Sequence, residues 1–529
     1  MSDPRQSSGI HHVTLVTANA QRNVDFYAGF LGLRLVKRTA GFEDSTQLHL
    51  FYGDQLGSPG SLITALVWQE GARGRQGLGQ AFEIALAIPA EAMGFWLTRA
   101  MTLGLKTGLP GREFGEPVLR LSDPDGVIIK LVGQDELLAP ALFHPSDIPA
   151  AMAVRRIRGV TWLSNDPNGT RAALPQRYGY RESAREGAAT RFISLSGDVV
   201  DLREASGFWP GAPGPGTIDH VAFRASGHAE LDALHAAFAA EARATSPIKD
   251  RRYFTSLYVR EPGGILTEFA TDEPGMTVDE DEAGLGTKVF VPPHEAAREK
   301  DIIAMLPDIS APGEPRDPAA DLPFIHRLKR AEKSDGATLI LFHGTGGHEA
   351  DLLPLGREIA PQADLLGFRG RSSEEGSLRW FRRYGMDRFD QADIARETGA
   401  FAATLPQALS RYGLDPSRVT ALGYSNGANF VAALMLLHPG LLARAILLRP
   451  MLVLETPPTP DLSDTGILTI AGRSDPYGQY APPLVDHFRR CGSRITAETI
   501  AAGHGLDRQD IVLTRRWYEA NVTAPPGSD

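Results

Sequence analysis

The chain has 529 residues, 42% of them hydrophobic and 22% charged, and 54 Lys and Arg stand against 64 Asp and Glu for a net charge of −10. That length exceeds one core and predicts three or four structural units. The acidic balance, with no large basic block, excludes nucleic acid and membrane surfaces as partners and leaves small molecules. One cysteine, Cys491, rules out an internal disulfide and predicts a reducing, cytoplasmic setting. The short apolar stretches near Phe430 and Leu441 are broken by Pro439 and Arg444, so no membrane span is expected.

From the N-terminus, Ile10-His11-His12-Val13-Thr14-Leu15 reads as a strand with histidine at an otherwise apolar position. A helix is predicted over 23–31 from the spacing of Val24, Phe26, Tyr27, Phe30 and Leu31, with Gly32 to stop it. Strands follow at 48–52 and 61–67. The frame recurs at Ala81–Leu86, Ile157–Trp162 and Thr217–Arg224, with helices expected at 90–103 and 228–240. Each copy runs roughly 50 to 65 residues, the range of a repeated supersecondary unit.

Aligned on the repeat, the opening position reads His12, Glu83, Gly159, His220, and the position after the closing Gly turn reads Thr64, Lys130, Asp201, Glu268. The outer copies therefore supply two imidazoles and one carboxylate, with Thr64 in the fourth place. Such a set leaves coordination positions open, which fits Fe(II), with Mn(II) as the alternative, better than a closed structural zinc site. A strand histidine is more often a hydrogen-bonded core residue; the equivalence of all three positions in the repeat is what favours a metal.

Residues 273–322 change in character. The acidic run Asp279–Glu282 reads as a solvated patch, and the prolines from Pro292 to Pro318 read as a wrapping segment and a linker at 291–323. From 324 to 525 strands and helices alternate as in an α/β domain. Thr338–Phe342 runs into the Gly-rich loop His343–Gly347, and Val419–Ala428 gives a strand, Gly423-Tyr424-Ser425-Asn426-Gly427, and a helix. This is the Gly-x-Ser-x-Gly elbow in its structural context. Asp475 and His504, both at predicted strand ends, follow in the order of an α/β-hydrolase triad. Asp461 and Asp464 compete with Asp475. An oxyanion would meet N–H groups of Asn426 and Thr345. The loop lacks the Gly-Lys-Ser/Thr ending of a phosphate cradle. Residues Trp380–Tyr384 and Phe389 are pocket candidates.

The four βαβββ copies, with their His and Glu on first and last strands, resemble the vicinal oxygen chelate superfamily over residues 9–290. The motif around Arg251 and Tyr258 is most similar to hydroquinone-type ring-cleaving dioxygenases. The resemblance implies an Fe(II) site that joins a small aromatic substrate to O2, with modules one and four forming the cup and modules two and three a structural copy. It also implies roles near the metal for His11, Arg251 and Tyr258, with Thr14 and Asp219 as neighbours. Relatives in that branch often carry His where this chain has Asp219. The second half resembles carboxylesterase/phospholipase-type α/β-hydrolases, acting on an ester or ring-cleavage product.

The expected architecture is an α+β four-module βαβββ domain (9–147 and 148–290), a linker, and an α/β-hydrolase domain with a mostly parallel sheet (324–525). Assembly as a homo-oligomer stays open. Two rivals remain for the first half: a glyoxalase-like metal isomerase or lyase, and a metal-free module that binds aromatics.

Overall fold

Each repeat has one apolar sheet face that must be covered, and four of them solve the problem by pairing into two sheets over one core. The computed structural model describes residues 9–69, 71–135, 143–205, 207–317 and 322–523. It divides into two compact units, Met1–Pro315 and Arg316–Asp529. In the first unit, a nine-stranded sheet joins module one to module four through the antiparallel pair Ile10–Thr17 and Ile218–Ala225. An eight-stranded sheet joins modules two and three through Gln80–Pro89 and Arg156–Leu163. The expected pairing of module one with four and of two with three thus matches the sheets.

Aromatic side chains stitch the two sheets together. Phe223, fully buried, lies 4.9 Å from the Tyr178 ring, 5.7 Å from Tyr180 and 5.9 Å from Trp162. Truncating such a residue to Ala costs about 3–5 kcal/mol through lost transfer energy and the cavity left behind. The predicted first helix is observed as Ala20–Val24, continued by a wider turn Asp25–Phe30 that still buries Phe26, Tyr27 and Phe30. It begins three residues earlier than its apolar spacing suggests because the Asn19 side chain caps it, accepting from the Arg22 N–H at 3.0 Å. The helix His228–Ala240 falls where predicted.

Two readings of the segment after module four are corrected. Residues 291–306 are not a linker. Strand Val289–Phe290 pairs with Arg38–Thr39, and Val291, Ile302 and Leu306 bury in the core of the first unit. Proline density obscured these three apolar anchors; residues 318–321 of the expected linker lie outside the described residues. Nor is the acidic run merely solvated. Lys37, 1% exposed, places its ammonium 2.5 Å from both Asp279 and Glu280, and Asp279 also accepts from the Tyr253 hydroxyl at 3.0 Å. A buried ammonium needs such compensation.

The second unit carries a seven-stranded sheet, parallel except for His326–Lys329 against Asp364–Phe368. The long helix Gln391–Tyr412 is capped by Asp390 and closed by Gly413 at φ 63°. Among the described residues, no helix is long and apolar enough to cross a membrane.

Candidate active sites

The strand pair at the centre of the nine-stranded sheet sets the first site. His12 lies opposite Ala222 and Thr14 opposite His220, with a bulge between Ile10 and His12. The extra residue lets the adjacent His11 and His12 both bury on one side, as bulges near functional sites do. His12, His220 and Glu268 each present a ligand atom, all within 4.8 Å of one another. Glu268 Oε2 is 3.2 Å from His12 Nε2 and 2.9 Å from His220 Nε2. It is nevertheless buried with no hydrogen bond of acceptable geometry. Three lone-pair donors aimed at one point, one of them an orphaned buried carboxylate oxygen, fit a divalent cation.

Hydrogen bonds behind the ligands fix their orientation. The Asp219 carboxylate holds His220 Nδ1 at 2.7 Å. His11 Nδ1 stands 2.9 Å from His12 Nδ1, and His11 also bonds to the Thr271 backbone. Both arrangements leave Nε2 of the ligand imidazole facing the centre. Ser256 donates to the other oxygen of Glu268. Burial alone would lower His220 and raise Glu268. Asp219 and Glu268 instead hold His220 up at about 9, and the two imidazoles hold Glu268 well below the usual carboxylate range. Burial lowers His12.

A cavity of about 380 Å³ opens beside these groups, lined by His12, Thr14, His220, Arg251, Phe254 and Tyr258 among others. Arg251 pairs with Glu43 at 3.1 Å and lies 5.4 Å from the Tyr258 ring centre. Burial and the Glu268 charge raise Tyr258, so its hydroxyl stays protonated. His11 does not line the cavity; it touches His12 and Phe254 from behind. Thr64 is tied into a chain in which His49 Nε2, Thr64, Thr14 and His220 Nε2 follow one another at 2.9, 2.8 and 2.9 Å. His49 was missed by the sequence reading. Its signal was a histidine two residues before Phe51 on a half-apolar strand, with both rings facing the cavity.

In the copy, the equivalent space is filled from within. Lys130, 3% exposed in its side chain, places Nζ 3.4 Å from Glu83, 3.1 Å from Glu113 and 3.6 Å from Asp201. Arg120 and Arg191 bind the same carboxylates at 2.7 Å each. An ammonium thus stands where the outer modules gather lone pairs. Gly159 cannot be a histidine here, because a Cβ would lie 2.2 Å from the Val199 carbonyl oxygen.

In the second unit, strand Val419–Tyr424 turns into helix Asn426–Leu437 through Ser425 at φ 52°. This left-handed conformation, strained for a serine, marks a sharp elbow. Gly427 is required beside it, since a Cβ would fall 2.0 Å from the Phe342 oxygen. Ser425 Oγ is 2.9 Å from His504 Nε2, and His504 Nδ1 is 2.9 Å from Asp475 Oδ2. Asp461 and Asp464 do not take part; Asp461 accepts from the Ser463 N–H in its own turn. Ser425, Asn426, Thr345 and His504 share a cavity of about 300 Å³. Of the pocket candidates, Arg383 and Phe389 line it, whereas Trp380 and Phe381 are buried packing residues and Tyr384 is exposed.

The sequence reading also missed Arg449. It sits at φ 56°, donates to the carbonyls of Gly503 and Gly505 at 2.9 Å each, and so grips both residues flanking His504. Asp510 pairs with its guanidinium at 2.8 and 2.9 Å.

The paired four-module sheets, with a His-His-Glu cluster between the outer modules, define a glyoxalase-type fold, and the second unit has the fold of an α/β-hydrolase. The chain belongs to the Glyoxalase/Bleomycin resistance protein/Dioxygenase superfamily, whose sequence profile matches residues 9–131. It is 35% identical over 312 residues to the “Putative ring-cleaving dioxygenase MhqE” of Bacillus subtilis, covering 58% of this chain and 100% of that relative. It is 30% identical over 325 residues to the chlorohydroquinone/hydroquinone 1,2-dioxygenase of Sphingobium indicum, covering 58% of this chain and 98% of the relative. A third similarity, 36% over 186 residues, is to the “Putative hydrolase MhqD” of Bacillus subtilis, covering 35% of this chain and 93% of the relative.

Proposed function

We propose that the chain is a bifunctional enzyme of aromatic breakdown, in which the first unit opens the ring of a hydroquinone- or catechol-type substrate with O2 and the second is a serine hydrolase of the carboxylesterase type. The observation that carries the first half is the orphaned Glu268 oxygen facing two imidazoles beside a cavity walled by Phe42, Trp68 and Phe254. Similarity to a named hydroquinone dioxygenase supports the substrate class.

His12, His220 and Glu268 would hold Fe(II), with Mn(II) as the alternative. When bound, the metal supplies electron exchange between a dihydroxylated ring and O2. The surrounding residues have separable tasks. Asp219 and His11 orient the two imidazoles. The aromatic wall excludes water, Arg251 offers fixed positive charge to anionic oxygen, and the protonated Tyr258 hydroxyl is a proton donor. Overall, the bond between a hydroxyl-bearing ring carbon and its neighbour breaks and both atoms of O2 enter the product, one completing a carboxylate on the first carbon and the other an aldehyde on the second.

In the second unit, His504 Nε2 takes the Ser425 proton as Oγ attacks the acyl carbon, and later returns a proton to the leaving alcohol. Asp475 holds the tautomer that this requires. The Asn426 N–H, at the start of its helix without an intrahelical partner, and that of Thr345 would stabilise the oxyanion. Water then releases the acyl group by the same relay.

The test is anaerobic Fe(II) loading of the full chain, followed by oxygen-electrode assays with hydroquinones and catechols. Oxygen uptake is expected. Its absence, together with turnover of methylglyoxal–thiol adducts, would instead favour the isomerase reading. Ester hydrolysis followed by pH-stat should vanish in Ser425→Ala. If the products formed from a substituted hydroquinone are the same with Ser425→Ala, the two activities do not act in sequence.

A further inference from the structure

The wall of the Ser425 cavity is cationic. Arg379, Arg383 and Arg449 line it, and no carboxylate does among the described residues. Arg449 is neutralised by Asp510 and turned toward backbone carbonyls. Among the described residues, Arg379 and Arg383 share a single acid: Glu374 lies 3.3 Å from Arg379 Nη1 and 2.9 Å from Arg383 Nε. Two guanidinium groups and one carboxylate leave one positive charge uncompensated beside the nucleophile.

The placement is costly for a purely structural purpose. Arg379 is 3% exposed, and its guanidinium is pulled below its ordinary range by burial and then by the neighbouring Arg383. Its Nη1 donates to Thr345 Oγ1 at 3.0 Å, which fixes the charge at the loop expected to face the oxyanion. Arg383 is half-buried, with its Nε on Glu374. A planar guanidinium in a partly enclosed cavity is suited to receive a carboxylate in a charge-assisted pair.

We infer that the Ser425 site selects substrates whose acyl group carries its own carboxylate, received by Arg383 with Arg379 beside it. This rests on the reading of Ser425 as the nucleophile of a hydrolase. Ring opening at a hydroxyl-bearing carbon produces a carboxylate, so an ester derived from a ring-cleavage product would carry the charge that Arg383 receives.

The experiment compares kcat/KM of the full chain for monomethyl adipate and methyl hexanoate by pH-stat, at low and high salt. The wild type should favour the adipate by about tenfold or more, the worth of one charged hydrogen bond, and added salt should shrink the preference. In Arg383→Gln the adipate-to-hexanoate ratio should fall by about tenfold, mainly through KM, and Arg383→Lys should restore part of it. A wild type without preference, or a ratio that Arg383→Gln leaves untouched while both rates fall, overturns the inference and makes Arg383 a support of the fold. Hydrolysis of neither ester by the wild type would instead overturn the hydrolase reading itself.

Discussion

Replacing Asp510 by Asn tests the clamp around His504. Arg449 and Asp510 are both fully buried and meet in a two-pronged pair at 2.8 and 2.9 Å. Asn keeps the shape but leaves the guanidinium without its counter-charge, a loss of about 3–5 kcal/mol. The lower figure applies, because the carbonyls of Gly503 and Gly505 still accept from Arg449. For a domain of about 200 residues, each kcal/mol moves the melting temperature by roughly 2–4 °C, so calorimetry should show a fall of about 6–12 °C. Activity should fall as well, since the flanking carbonyls hold the His504 ring 2.9 Å from Ser425. The double variant Arg449→Met/Asp510→Leu removes both charges together and should recover most of the stability without the hydrolysis rate. A melting shift below about 2 °C in Asp510→Asn, or full activity in the double variant, would refute the clamp.

Three further outcomes follow from the first unit. Glu268→Gln keeps the side-chain shape but removes the only carboxylate among the three candidate ligands; metal content by elemental analysis should fall by at least the roughly tenfold that loss of an outer-shell partner already costs, with the circular dichroism spectrum kept. Asp219→Asn weakens the partner of His220 Nδ1, and Fe(II) affinity by competition with a chromophoric chelator should drop by about 10–100-fold. Lys130→Met leaves the buried Glu83 and Asp201 with less counter-charge, and urea unfolding should show a loss of about 3 kcal/mol while metal affinity stays within twofold or so, as expected for a site remote from the ligands.

The repeat made the His-His-Glu cluster legible: His12 and His220 open the first and fourth copies and Glu268 closes the fourth, so a one-dimensional alignment already placed them on neighbouring strands. The same logic located Ser425, Asp475 and His504, since an elbow motif and strand ends carry their own local geometry. What stayed hidden depends on contacts remote in sequence. Arg449 meets Asp510, 61 residues further on, and Lys37 meets Asp279 at a separation of 242 residues. Neither has a local signature, and a lone Arg or Lys in an apolar stretch reads as an interruption. The Pro-rich segment after residue 290 failed in the opposite direction, because composition counts prolines but not the three apolar side chains that decide docking.

The two halves of the repeat show what separates an open His-His-Glu cup from a packed ion-pair network. Both have the same bulged strand pair, with the register shift at Ile10/His12 in one and Ala81/Glu83 in the other. In the copy, Lys130 carries a fixed cation into the cup and Gly159 is held small by the Val199 carbonyl. In the outer pair, the corresponding positions are Thr64, small and hydrogen-bonded to Thr14, and His220, and the acid is left facing two imidazoles. Whether the cup takes a cation from solution or holds one on its own side chain therefore turns on the residue at the closing position of the neighbouring strand. Thr64→Lys would be expected to place an ammonium beside Glu268 and suppress metal uptake, and retention of the metal by that variant would count against the equivalence of the two cups.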